Sequence, residues 1–90
     1  MIIQYTPRGV CSRQINVKVE DGMIRAAEFI GGCSGNTQGV ARLVEGMRAE
    51  DAIARLEGIR CGNRPTSCPD QLSRALKAAL AEEAKRKAEA

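Results

Sequence analysis

The sequence predicts an α+β domain: a small antiparallel sheet of three strands followed by three helices packed on one of its faces, in the order βββααα. Three observations predict it. Ile15, Val17 and Val19 alternate with polar residues at the period of a half-buried strand. Asp21-Gly22 follows directly, and that dipeptide readily adopts the positive φ angles of a tight hairpin turn. Beyond residue 40, apolar residues recur at the spacing of amphipathic helices.

Taken in order, Ile2 to Tyr5 is a short apolar run closed by Thr6-Pro7-Arg8-Gly9, which predicts a brief strand and a turn. Gln14 to Glu20 is the alternating strand, and Met23 to Ile30 should return as its antiparallel partner. Gly31 to Asn36 ends the hairpin, and Ser34 and Asn36 are both suitable N-caps. Val40, Leu43, Val44 and Met47 predict one face of a helix ending near Met47. Ala49, Ala52, Ile53 and Leu56 predict a second, shorter helix, with Gly58 where a glycine would stop it. The last helix begins near Cys68, either with Ser67 and Asp70 as a capping box or with Cys68 as N-cap and Pro69 in the first turn. Leu72, Ala75, Leu76, Ala79 and Leu80 form its apolar face, and residues 81–90 read as a solvated helical tail.

At 90 residues the chain is one domain, residues 1–90, with no internal repeat and no linker. One Tyr, one Phe and no Trp leave no aromatic platform for stacking bases, and the formal net charge of +3 is too mild and too dispersed to indicate a nucleic-acid partner. With no His, the usual general base and the usual nitrogen ligand for metals are missing, so a metal site here must be rich in thiolates. No apolar run is long enough for a signal peptide or a membrane span, and the expected location is the cytoplasm. In a reducing compartment four cysteines are expected to be free, metal-bound or redox-active rather than joined as structural disulfides.

The cysteines mark the candidate site. Cys11, Cys33, Cys61 and Cys68 each fall at an element boundary, and Cys33 and Cys68 stand where helices begin. A helix N-terminus favours the thiolate, which is both nucleophile and metal ligand. Convergence of all four would give a tetrahedral site for zinc or a site for an iron-sulfur cluster. Their spacing lacks the paired C-x-x-C of a zinc ribbon, so two other readings stay open: a thiol redox or sulfur relay, and small cysteines packed as hydrophobes. A second candidate is anion binding by the backbone around Gly32, Ser34, Gly35 and Asn36, with Arg60, Arg64 and Arg42 as charge for a nucleotide; the lysine of a P-loop is missing. Asp70 is explained first as part of a helix cap.

At Thr66-Ser67-Cys68-Pro69-Asp70 the chain resembles stand-alone TSCPD domains, named for those five residues, and Gly32 to Asn36 and Cys61 to Pro65 look like the rest of that pattern. A similar domain occurs in the C-terminal part of adenosylcobalamin-dependent ribonucleotide reductases. The chain is far too short to hold a reductase barrel, so the resemblance implies a shared module, non-catalytic by itself, and not the reductase. More distantly, Cys11, Cys33 and Cys68 match the three cysteine positions of the U-type iron-sulfur assembly scaffolds. Arg13 replaces the scaffold's aspartate, Ser67 its histidine, and Cys61 is an added thiol. These resemblances imply a metal- or cluster-binding accessory module with a protein partner in ribonucleotide reduction or iron-sulfur metabolism. The alternative they imply is a nucleotide-linked domain whose Cys33, Cys61 and Cys68 relay electrons for deoxyribonucleotide synthesis.

Overall fold

The computed structural model describes residues 1–10, 12–31, 34–60, 62–63 and 65–89. Its elements are β1 (Ile2–Tyr5), β2 (Gln14–Glu20), β3 (Met23–Ile30), α1 (Ser34–Val44), α2 (Ala49–Leu56) and α3 (Cys68–Glu89), so the βββααα order is observed. The strands form one antiparallel sheet in the order β1-β2-β3. The hairpin turns at Asp21 and Gly22 with φ of 51° and 77°. Both lie in the left-handed region that a two-residue turn of this hand requires, and Gly22 takes it without the Cβ penalty.

On β2 the side chains of Ile15, Val17 and Val19 are buried, while Lys18 and Glu20 are exposed, as period-two alternation demands. Ile3 pairs with Val17 and Tyr5 with Ile15, so β1 adds its two partly buried side chains to the same face. The run Met23-Ile-Arg-Ala-Ala-Glu-Phe-Ile30 has no such alternation. The reason is a bulge: Lys18 pairs with Ala26 but Val19 with Ile24, leaving Arg25 as an extra residue. Ile24, Ala27 and Phe29 can then all meet the core although they are not spaced by twos.

The helices cover that one face. α1 lies against β3, α3 runs across β2 and β1, and α2 packs beside α3. Leu72, Ala75, Leu76 and Ala79 of α3 and Ala49 and Ala52 of α2 are buried against Ile15, Val17, Val19 and Ile24. The alanines let backbones approach closely, which suits a core almost without aromatic residues. The connection between α1 and α2 is tied to the sheet: Ile24 N–H donates to Met47 O at 2.9 Å, and Gly46 N–H to Ile24 O at 2.8 Å.

The face expected for α1 needs correction. The helix stops at Val44, and Leu43 is 77% exposed. Its inward residues are Thr37, Val40, Ala41 and Val44, and Met47 reaches the core from the turn that follows. Met47 had drawn the apparent stripe about one residue too far round the helix, towards Leu43. α2 ends as expected, with Gly58 at φ 84° just after it.

Residues 81–89 continue α3, and their first turn is not free of the sheet. Glu83 accepts the N–H groups of Asp21 at 2.8 Å and Gly22 at 3.0 Å, and Lys87 lies 3.3 Å from the Asp21 carboxylate. Among the described residues no helix is long and apolar enough to cross a membrane.

Replacing Leu76, fully buried, by Ala should cost about 2 to 5 kcal/mol of unfolding free energy. Replacing Leu43 by Ala should change it by less than about 0.5 kcal/mol. Urea unfolding of the two variants checks the assignment of the helix faces.

Candidate functional site

The N-terminus of α3 is where the connection between β1 and β2 meets the one between α2 and α3. Ser67 is its N-cap: Ser67 Oγ accepts the Asp70 N–H at 3.2 Å, and Ser67 O accepts the Gln71 N–H at 2.9 Å. The same hydroxyl donates to Ile59 O at 2.6 Å, so one side chain caps the helix and holds the incoming loop. Of the two starts the sequence allowed, the serine cap is the one formed. The reciprocal half of a capping box is absent, because the Asp70 carboxylate points elsewhere.

Asp70 is buried, with 5% of its surface exposed, and works as a clasp. It accepts the Gly58 N–H at 2.8 Å and the Thr66 hydroxyl, and Arg74 Nε lies 3.6 Å away. Burial by itself pushes its pKa up, but the Thr66 and Gly58 hydrogen bonds, with the charges of Arg74 and Lys77, outweigh that and hold it below the ordinary aspartate value. Gln71, also buried, donates to Thr66 Oγ1 at 2.8 Å and accepts the Arg8 N–H at 3.1 Å, which draws in the connection between β1 and β2. In that connection Gly9 comes so near Thr66 that a Cβ added there would lie 3.1 Å from the threonine methyl. Thr66, Ser67, Asp70 and Gln71 thus form one hydrogen-bonded cluster, and no buried side-chain oxygen or nitrogen of the described residues lacks a partner.

Cys68 is the first residue of α3, a free thiol of intermediate exposure. Its Sγ lies 3.2 Å from Ser12 Oγ, and the two share a hydrogen bond. Ser12 is buried and directly follows Cys11 in the chain. Next to it, Arg13 N–H donates to Ile30 O at 2.7 Å, and Gly31 sits against the Arg13 side chain. Ser12, Arg13, Ile30, Gly31 and Cys68 therefore share one end of the sheet.

Of the predicted ligands, Cys68 is described; Cys11, Cys33 and Cys61 lie outside the described residues, as do Gly32 and Arg64. Among the described residues no three acidic or cysteine side chains are grouped to hold a metal ion. Ser34 opens α1, and Gly35 and Asn36 are exposed on its first turn. Arg60 is exposed on the loop after α2, beside a cleft of about 450 Å³ that Arg74 and Lys77 also line. Arg42 borders a different cleft, between β3 and α1, so the structure does not group it with Arg60. Ser12 and Gln71 escaped sequence reasoning. Neither belongs to a periodic pattern, and only the Thr-Ser-Cys-Pro-Asp run signalled the cluster around them.

A family model for the TSCPD domain matches residues 1–80. The chain belongs to the TSCPD domain family. No curated protein and no solved structure matches it, so the likeness to the U-type scaffolds rests on the sequence pattern alone. In this TSCPD domain the five signature residues have distinct tasks: threonine binds the aspartate, serine caps the helix, cysteine presents sulfur, proline occupies the first turn, and aspartate clasps the preceding loop.

Because the Asp70 pKa is lower folded than unfolded, the unfolded chain binds the proton more readily. The stabilisation is full above the unfolded carboxylate range, near about pH 4, and is lost as pH falls through the folded value. Asp70→Asn should therefore cost roughly 2 to 3 kcal/mol at neutral pH. Its deficit relative to the unmodified chain should shrink as pH is lowered below about 4, measured by urea unfolding across that range. A deficit independent of pH would mean that ionised Asp70 is not its source.

Proposed function

We propose that this TSCPD domain is a small accessory module that binds one zinc ion or iron-sulfur cluster through Cys11, Cys33, Cys61 and Cys68 and catalyses no reaction by itself. The observation that carries the reading is the placing of Cys68: its sulfur is accessible at the start of α3 and touches Ser12, the residue after Cys11. The donor chemistry fits. Four thiols without histidine make a soft set that suits tetrahedral zinc or an iron-sulfur cluster and does not suit magnesium or calcium.

The chain's own contribution is rigidity. The Ser67 cap and the Asp70 clasp fix Gly58 and Ile59, after α2, onto the start of the helix that carries Cys68. A bound zinc ion would supply a structural cross-link, and a cluster would supply a redox or transferable group. We place the module in the cytoplasm, serving a protein partner in ribonucleotide reduction or iron-sulfur metabolism; the U-type pattern of Cys11, Cys33 and Cys68 supports the second.

Chain produced with iron and zinc available should carry about one metal ion or cluster per molecule by elemental analysis. Cys68→Ala should lose it, whereas Ser12→Ala should weaken it and leave the stoichiometry intact. A stable, metal-free chain with four titratable thiols that takes up neither metal on reconstitution overturns the proposal.

A further inference from the structure

The net positive charge of the molecule is concentrated in the segments that meet at the start of α3. Residues 6–13, 31–37 and 58–67 contain four arginines, Arg8, Arg13, Arg60 and Arg64, and no acidic residue; all eleven acidic residues lie elsewhere in the chain. The folded molecule brings the described residues of these segments together, with Gly9 against Thr66 and Gly31 against Arg13. Arg8 N–H bonds Gln71, Arg13 N–H bonds Ile30, and the carbonyl of Ile59, next to Arg60, receives the Ser67 hydroxyl.

Arg8, Arg13 and Arg60 are exposed and make no ion pair with any described residue. Of the other described cations, Lys18, Arg25, Arg48, Arg74, Lys77, Arg86 and Lys87 each face a carboxylate, and Arg42, Arg55 and Lys85, on the helices, are exposed and make no ion pair with a described residue. The acidic groups nearest this end do not neutralise the three arginines. Asp70 is buried and engaged with Arg74, Glu57 is engaged with Lys77, and Glu28 accepts from Asn16 on the open sheet face. The three described cations are all arginine, and the planar guanidinium suits bidentate pairing with carboxylates.

We propose that this arginine-bearing end is a docking surface for an acidic segment of a partner protein, its carboxylates paired with Arg8, Arg13 and Arg60. An acidic peptide fits better than a nucleic acid. Tyr5 and Phe29 are turned into the core, so no aromatic ring is presented for stacking, and three exposed charges make a small footprint for a phosphate backbone. The surface gives the accessory module its partner's chemistry. It does not depend on a metal, since none of the three arginines needs one.

The probe is a fluorescein-labelled decaglutamate peptide, followed by fluorescence anisotropy at low ionic strength. The unmodified chain should bind it, with affinity falling as salt is raised. R8E/R13E/R60E should lose about tenfold or more in affinity. K85E/R86E/K87E is the control: it changes the net charge equally, at the far end of α3, about 30 Å away, and should keep its affinity within about twofold. If circular dichroism shows R8E/R13E/R60E unfolded, R8Q/R13Q/R60Q takes its place, with the same expected loss. The unmodified chain should bind equally whether elemental analysis finds it metal-loaded or metal-free, which separates this surface from the metal reading. Equal loss in the two charge-reversed variants, no binding by the unmodified chain, or tighter binding of a single-stranded DNA oligonucleotide of matched charge overturns the proposal.

Discussion

A carboxylate taken out of water must be compensated, and in this domain the compensation of Asp70 fixes the geometry around it. Its partners come from three directions: a backbone N–H from the end of α2, a hydroxyl from the residue just before the N-cap, and a guanidinium from the next turn of α3. Because each of these must be in place for the charge to be tolerated, Gly58 and Thr66, near the two ends of the connection between α2 and α3, are held together at Asp70. The Ser67 hydroxyl reinforces it by spanning from the helix amide to Ile59. A sulfur at Cys68 is therefore presented from a firmly held helix start and not from a mobile loop. That is the condition a metal ligand or a reactive thiol needs, since both depend on a fixed position.

Much of this was legible in the sequence, where local rules act alone. The strand of Ile15, Val17 and Val19, the turn at Asp21-Gly22 and the Gly58 stop each follow from a few adjacent residues, and each is observed. The sequence was less clear where tertiary contacts choose between local options. On α1 the choice of buried face was made by contact with β3, and Thr37 and Ala41 were taken in place of Leu43. In β3 the pattern was scrambled by one inserted residue whose effect depends on its neighbour's register. At the site, the five-residue signature announced itself, but the roles of Ser12, Gly58 and Gln71 came from residues distant in sequence meeting at one helix end.

The two ends of α3 are anchored by the same chemistry. At its start Asp70 accepts a loop N–H, and about 20 Å further along, by helical rise, Glu83 accepts the two N–H groups of the hairpin turn. The helix thus connects the end of the molecule that bears Cys68 to the opposite end of the sheet, and the apolar face of β2 lies buried beneath it. Polar fastening at both ends leaves the small aliphatic core between them to set the spacing.

The bulge at Arg25 has a consequence for how other molecules can approach. A strand laid along the outer edge of β3 must keep its side chains alternating in step with its neighbour, but the inserted residue shifts that alternation halfway along, so a straight strand matched to one half is mismatched to the other. The turn-proximal half is already occupied, since Ile24 has given both its backbone groups to residues 46 and 47. The β3 edge is thus a poor template for an added strand, whether from a stray peptide or from a second copy.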